Sequence, residues 1–168
     1  MRDIKEFLKD FFTYASIIIV VILVIKYVAS FQQVVGPSME PNYKSGDLLF
    51  LDKISYKFTK PKIFDVVVIA NDDTKYMIKR IIGLPGDDLE YKNNKLYING
   101  KAVEEKVDIK GKTDDFSLKD FEYEKIPDNY YFVLGDNREN SLDSRSYGLI
   151  SIKDIIGKVR FRIWPIVR

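Results

Sequence analysis

The sequence of 168 residues contains no cysteine and no histidine. Without a thiol there is no cysteine nucleophile, and without an imidazole the Ser-His-Asp arrangement that activates a serine is excluded. The remaining side chain whose pKa can be brought near neutrality for use as a general base is a desolvated lysine. Because disulfides are impossible, an extracellular domain of this sequence would depend on its apolar core for stability.

The sequence also has no large excess of positive or negative charge. The chain has 27 basic and 25 acidic residues, a net charge of +2, and no basic stripe interleaved with aromatic residues. Nucleic acid is therefore not an expected partner. Acidic residues do occur in pairs, but in turn-like contexts without histidine or cysteine, which favours solvated turns over a metal site. These pairs are Asp72-Asp73, Asp87-Asp88 and Asp114-Asp115. We expect no metal and no cofactor.

One long apolar run is present, from Phe11 to Phe31. A helix of about twenty apolar residues crosses the ~30 Å hydrocarbon core of a bilayer, so residues 11–31 are predicted to form a transmembrane helix. The alternative is a signal peptide cleaved after Ala29. Tyr27 stands where such a site needs a small residue, and Lys26 would place a charge just before the cut, so an uncleaved anchor is favoured.

Basic residues predict how this anchor is oriented. Residues 32–51 contain only Lys44, whereas three basic residues precede the helix, namely Arg2, Lys5 and Lys9. Positive charge collects on the cytoplasmic side of a membrane helix. We therefore expect a single-pass protein of the cell membrane, with residues 1–10 in the cytoplasm and residues 32–168 as an extracytoplasmic catalytic domain.

Beyond the anchor the pattern predicts a mainly β fold. Short apolar or alternating runs separated by turn residues are typical of strands, and they occur at Asp47–Leu51, Asp65–Ala70, Tyr76–Ile82, Asp88–Tyr91, Lys95–Ile98, Tyr130–Leu134 and Gly157–Ile163. Asn93-Asn94 predicts a hairpin turn. One short helix is expected around Ser117–Phe121. Residues 104–126, rich in Lys, Asp and Glu, predict an exposed insert.

Two residues stand out as candidates for chemistry. Ser38 lies between Pro37 and Pro41, which restrict the backbone around its hydroxyl. Lys79 lies in a predicted strand, where it shares a face with Met77 and Ile81. Burial there would lower the pKa of Lys79 and suit it to act as a base. A lysine that extends from a sheet edge into solvent fits the strand pattern equally.

Two further segments bear on this choice. Gly83–Asp87 directly follows the Lys79 strand, and a polar loop over residues 135–148 follows another apolar strand. Polar loops on a β scaffold often carry functional sites, although a solvated turn has the same composition. The sequence lacks the G-x-S-x-G and S-x-x-K motifs, which argues against α/β-hydrolases and penicillin-binding enzymes.

Together these segments resemble the bacterial type I signal peptidases, membrane-anchored Ser-Lys proteases that remove signal peptides from exported proteins, in particular their smaller Gram-positive form. The matching blocks occur in the family's order: Ser38-Met39-Glu40-Pro41, Gly46-Asp47, Lys79-Arg80 with Gly83 and Pro85-Gly86-Asp87, and Gly135-Asp136-Asn137 with Ser141, Asp143-Ser144-Arg145 and Gly148. The resemblance implies a signal-peptidase-type, β-barrel-like catalytic domain. Its expected partners are signal peptides of exported preproteins and the lipid bilayer.

The resemblance also implies roles for individual residues. Ser38 would be the nucleophile and Lys79 the general base, with Ser141 hydrogen-bonded to the Lys79 amine. Asp143 and Arg145 would hold the surrounding loop in shape. Some family members carry a serine that assists the oxyanion hole two residues before the nucleophile. Here that position is Gly36, so the oxyanion would rely mainly on the Ser38 backbone N–H.

Two other functions remain as alternatives. A Ser-Lys autoprotease resembling SOS-type repressors would use the same pair, but the sequence has an anchor in place of a helix-turn-helix domain. The second alternative is a catalytically silent membrane-anchored β scaffold.

The last strand suggests a membrane contact. Lys158, Arg160 and Arg162 alternate with apolar residues and are followed by Trp164. This pattern is typical of an ordinary strand with one solvated face. It also permits the hypothesis that Trp164 and the basic face rest on anionic lipid headgroups.

Overall fold

The computed structural model describes residues 3–71 and 75–166, so Arg2 and the Asp72-Asp73 pair lie outside the described residues. The chain begins with helix α1, Ile4–Tyr27, whose mean hydropathy reaches 2.2 and of which no residue is buried. Within the described ranges it is the one helix long and apolar enough to span a membrane. The predicted bounds of 11–31 were wrong at the carboxyl end, because the residues from Ala29 onward pair in a sheet.

The rest of the chain is mainly β, as predicted. A seven-stranded sheet consists of β1 Ala29–Gln33, β2 Leu48–Asp52, β3 Val66–Asn71, β4 Lys75–Gly83, β9 Tyr130–Leu134, β10 Ile150–Ser151 and β11 Ile155–Trp164. Its strand order is β1-β2-β11-β3-β4-β9-β10, and all neighbours are antiparallel. A smaller antiparallel sheet, ordered β7-β6-β5-β8, consists of β5 Leu89–Lys92, β6 Lys95–Ile98, β7 Lys101–Val103 and β8 Phe116–Ser117.

Helical structure after α1 is short. The predicted helix around Ser117–Phe121 is a single 3₁₀ segment, Leu118–Phe121, and a second one covers Ile152–Asp154. The sequence reasoning missed α2, Ser55–Phe58, and α3, Ser144–Tyr147. Each is one turn long, and one turn is too short for a helical apolar period to be visible in the sequence.

Strand β4 lies at the centre of the apolar core. Three core clusters surround it: Ile78 belongs to one, Ile82 to a second and Ile81 to a third. Both faces of the strand are therefore covered from Ile78 to Ile82, and a polar side chain within this stretch is held away from water. The sequence allowed Lys79 to be either buried or extended from a sheet edge into solvent. The structure shows it buried, with an exposed fraction of 4%.

The segment 104–126, predicted to be an exposed insert, is exposed over much of its length, but a few of its residues are buried and attach it to the domain. Leu118 and Ile126 are 0% and 1% exposed, and Lys110 forms a parallel β-bridge with Asn137. The segment is rich in charge, yet its apolar residues fill the space beneath the small sheet. Charge composition alone therefore does not distinguish a solvated loop from one that folds back onto the domain.

The basic face predicted on the last strand is neutralised by acidic residues. Lys158, Arg160 and Arg162 form ion pairs with Asp65, Asp52 and Asp47, respectively. Register shifts between Val159 and Phe161 and between Arg162 and Trp164 also interrupt the alternation of the strand. Exposed aromatic side chains accompany these paired cations on the strand: Phe161 and Trp164 are 56% and 64% exposed.

Candidate active site

Ser38 and Lys79 meet in the structure. Ser38 lies in a turn that follows β1, and Lys79 lies in β4 opposite Val67 of β3. The Lys79 Nζ donates a hydrogen bond of 2.8 Å to Ser38 Oγ. A hydroxyl within this distance of an amine can transfer its proton directly when the amine is neutral.

Burial gives Lys79 the pKa that such a base needs. Desolvation lowers the pKa of its amine to about 8, although the nearby carboxylates of Asp143 and Asp136 oppose the shift and Arg145 assists it. At neutral and mildly alkaline pH a useful fraction of Lys79 is therefore uncharged.

The turn that carries Ser38 is held by the loop after β9. The Asn137 N–H donates to Ser38 O at 3.0 Å, and Asn137 Nδ2 donates to Pro37 O at 3.2 Å. Gly135 lies so close to this turn that an added Cβ would come within 2.5 Å of Ser38 O. A residue without a side chain is thus required at position 135 for Ser38 to sit where it does.

The hydrogen bond expected from Ser141 to the Lys79 amine is not formed. Ser141 Oγ is buried and has no hydrogen-bond partner among the described residues. The side chain packs over Gly135 instead, where an added Cβ would lie 2.2 Å from Ser141 Oγ. Lys79 meanwhile reaches Ser38 directly.

Asp143 and Arg145, which the family resemblance implied would hold the loop in shape, form an ion pair. Arg145 Nε and Nη2 donate to the two Asp143 oxygens, each at 2.9 Å, and Asp143 Oδ2 also accepts from Gly135 N at 3.0 Å. Arg145 Nη2 further donates to Arg138 O at 2.8 Å. Through Asp143, the pair therefore connects Gly135 at the start of the loop with Arg145 near its end.

A second buried ion pair was missed in the sequence, although both residues lie in its motifs. Arg80 donates to Asp136 through Nε at 2.8 Å and through Nη2 at 2.6 Å. Asp136 also accepts from Asn42 Nδ2 at 2.9 Å. The available signal was two opposite charges within the motif blocks, Arg80 directly after Lys79 and Asp136 at the start of the polar loop. The sequence did not show that these two charges would pair with each other.

A groove with a volume of about 570 Å³ opens beside Ser38 and Lys79. One wall is the chain from Gln32 to Val35, the other is Tyr76–Lys79 of β4, and Leu142 and Tyr147 lie at its border. In the described part of the chain, β4 pairs with β9 only from Arg80 onward, so one edge of Tyr76–Ile78 has no neighbouring strand. An unpaired strand edge can bind an extended peptide by backbone hydrogen bonds.

The chain was compared with known protein families and proteins. Residues 4–164 match the family model described as signal peptidase, peptidase S26. The chain belongs to the S26 signal peptidase family. It is 42% identical to the signal peptidase I of Bacillus caldolyticus over 148 residues, which cover 83% of this chain and 81% of that protein.

Two further relatives extend the comparison. Signal peptidase IB of Staphylococcus aureus is 38% identical over 175 aligned positions, covering 96% of this chain and 91% of that protein. The crystal structure of a signal peptidase I from Enterococcus faecalis V583 matches with a TM-score of 0.54 and 34% identity, over 61% of this chain and 98% of that one. Family membership thus covers the anchor region as well as the β domain.

Proposed function

We propose that this protein is a membrane-anchored serine endopeptidase that removes N-terminal signal peptides from exported preproteins, with Ser38 as nucleophile and Lys79 as general base. The observation that carries the proposal is the 2.8 Å hydrogen bond between Lys79 Nζ and Ser38 Oγ at a lysine that is 4% exposed. Family membership supports the substrate class, because the relatives bear the name signal peptidase.

The chemistry proceeds as an acyl transfer in two halves. Neutral Lys79 accepts the Ser38 proton as Ser38 Oγ attacks the scissile carbonyl, and the resulting ammonium then protonates the leaving amine. In the second half, neutral Lys79 takes a proton from water as that water attacks the acyl-enzyme carbonyl, and it returns the proton to Ser38 Oγ as the ester bond breaks and the carboxyl product leaves. The Ser38 backbone N–H serves as oxyanion donor, because Gly36 offers no hydroxyl.

The substrate binds extended in the groove beside the dyad. The unpaired edge of Tyr76–Ile78 and the chain at Gln33–Val35 supply backbone groups for an added strand. The groove's apolar lining, including Met77 and Leu142, suits the small apolar residues that precede a signal-peptide cleavage site. Residue size just before the cut would then be limited by these walls.

The anchor sets where the reaction occurs. Helix α1 ends at Tyr27 and the chain enters β1 at Ala29, so the β domain follows the helix without a long linker. With the basic amino-terminal segment in the cytoplasm, the site lies near the outer membrane surface, where a membrane-spanning signal peptide ends.

The test is cleavage of a peptide bearing an Ala-x-Ala site by the purified full chain in detergent, with products located by mass spectrometry. Cleavage after the second Ala is expected. Ser38→Ala and Lys79→Ala should abolish it, and so should Lys79→Arg, because a guanidinium stays protonated in a protein. Full activity of Lys79→Arg would exclude Lys79 as the base.

The same experiment separates the two alternatives. An SOS-type autoprotease would cut its own chain and leave the peptide intact, whereas a silent scaffold would cut neither.

A further inference from the structure

A buried guanidinium joins the small sheet to the active-site loop. Arg138, which is 3% exposed, forms a salt bridge with Glu105 through Nη2. Its Nη1 donates to Tyr91 Oη at 2.8 Å and to Thr113 Oγ1 at 2.8 Å. Its Nε donates to Gly135 O at 3.1 Å. Arg138 thus has all its partners among the small sheet, the segment 105–113 and its own loop.

Glu105 is the counter-charge of this cluster. Besides the salt bridge, Glu105 Oε2 accepts from Tyr91 Oη at 2.6 Å and from Arg138 Nη1 at 3.2 Å. Its side chain is 12% exposed and that of Arg138 is 1% exposed, so water cannot replace the carboxylate as a partner. A buried ion left without its partner is strongly unfavourable, and the surrounding chain must rearrange to reach water.

The backbone of the same segment also pairs with the loop. The Lys110 N–H donates to Asp136 O at 2.9 Å, and the Arg138 N–H donates to Lys110 O at 2.9 Å. These two bonds flank Asn137. Asn137 is the residue whose N–H donates to Ser38 O, so the segment 105–113 contacts the residues that hold the nucleophile turn.

We propose that Glu105 is a positioning residue for catalysis: by pairing with Arg138 it keeps residues 136–138, and through Asn137 the Ser38 turn, in the geometry that reaction requires. This inference rests on the proposed function and extends it to the charged insert. Lys79 is held separately in β4, so loss of Glu105 moves the nucleophile relative to its base and leaves the base's burial unchanged.

The experiment compares Glu105→Gln with Glu104→Gln, an exposed neighbour on the same segment, in the full chain in detergent. A displacement of about 1 Å at the nucleophile can cost up to about 100-fold in rate, so kcat of Glu105→Gln should fall at least about tenfold. KM should stay within about twofold, because neither Glu105 nor Arg138 lines the groove. The midpoint of the pH–rate limb should not move, and Glu104→Gln should match the wild type.

A second variant keeps the proposal testable if Glu105→Gln does not fold. Tyr91→Phe removes only the hydroxyl that bonds both Glu105 and Arg138, and Tyr97→Phe on neighbouring β6 is its control. A fall in kcat for Tyr91→Phe alone, at constant KM, supports the proposal.

Three outcomes would overturn it. In the first, the wild type cleaves and a folded Glu105→Gln or Tyr91→Phe has wild-type kcat; this defeats the inference while the proposed function stands. In the second, KM rises by as large a factor as kcat falls, or the controls Glu104→Gln and Tyr97→Phe lose as much activity as the test variants. Either result means that the cluster does not act on the nucleophile. In the third, the wild type cleaves no signal peptide, and the proposed function falls together with the inference.

Discussion

Lys79 Nζ lies 2.8 Å from Ser38 Oγ although 41 positions separate the two residues in the chain. In the sheet, the strands β2, β11 and β3 stand between β1, which leads into Ser38, and β4, which carries Lys79. The contact therefore requires a sheet that curls until the end of β1 approaches β4. The contact between Ser38 and Lys79 is a product of this curvature, which also forms the groove between the two strands.

Activity should rise with pH across the pKa of Lys79. Only neutral Lys79 can accept the Ser38 proton, and burial sets its pKa to about 8, so kcat/KM should increase through about pH 8 and level off above it. The chain contains no histidine that could produce the same limb. The measurement is kcat/KM on one signal-peptide substrate from about pH 6 to about pH 10. A flat profile, or one rising toward acid, would contradict a neutral-lysine mechanism.

Lys79→Met should be inactive yet more stable than the wild type at neutral pH. Because the pKa of Lys79 falls from 10.5 to about 8 on folding, burying its ammonium costs up to about 3 kcal/mol. This cost is complete below about pH 8, decreases between about pH 8 and pH 10.5 as the folded state releases the proton first, and vanishes above.

Urea unfolding of both proteins in detergent, at a series of pH values, measures this difference. Lys44→Met, at an exposed lysine, is the control and should show no comparable gain. A Lys79→Met protein less stable than the wild type at pH 7 would show that the ammonium is not penalised by burial.

Gly135→Ala should reduce activity and stability together. Its Cβ would lie 2.2 Å from Ser141 Oγ and 2.5 Å from Ser38 O, and backbone at the second position cannot move without moving the nucleophile. We expect kcat to fall by about 100-fold and the free energy of unfolding to fall by about 1–3 kcal/mol. Asn140→Ala, in the exposed part of the same loop, is the matched control. Equal kinetics for the two variants would refute the steric argument.

Ser141→Ala should have a smaller effect than loss of Lys79. Ser141 Oγ makes no hydrogen bond within the described part of the chain, so removing it takes away no contact to the base in the resting enzyme. We expect kcat/KM to fall less than about tenfold and the pH limb to keep its midpoint. Steady-state kinetics across the pH range would check this. A shifted midpoint would indicate that Ser141 bonds the amine once substrate is bound, which is the role the family resemblance implies.

Trp164 should sit in the membrane interface. Trp164 is 64% exposed, and Phe161, 56% exposed on the same strand, stacks on Phe50 at 5.1 Å between ring centroids. Trp164 is the single tryptophan of the chain, so its fluorescence reports this position alone. In vesicles containing anionic lipid, emission should shift to the blue and be quenched by spin labels near the headgroups.

Salt should change that signal little, because Arg160 and Arg162 are already paired with carboxylates. Emission typical of a ring in water, insensitive to the lipid quenchers, would refute the membrane contact.

Some of the molecule follows from the sequence alone, because the signals are local. The apolar run within Ile4–Tyr27 predicts a helix by its length. Short apolar or alternating runs predict the strand that carries Lys79 and the strand that precedes the loop of Arg138. The absence of histidine and cysteine leaves a lysine as the base for a serine nucleophile, and the spacing of the motif blocks indicates the family. Each of these inferences uses residue types and short-range order only.

Other features were decided by tertiary structure, because they depend on partners distant in sequence. The pairing of Arg80 with Asp136, the neutralisation of Arg160 by Asp52 and the folding back of the charged insert onto Arg138 all join elements that the chain brings together only when the sheets close. Ser141 lies in a motif that the sequence identified, but its position over Gly135 is set by packing and could not be read from the motif. A charge's partner and a hydroxyl's contacts are set by three-dimensional proximity, which composition and periodicity do not encode.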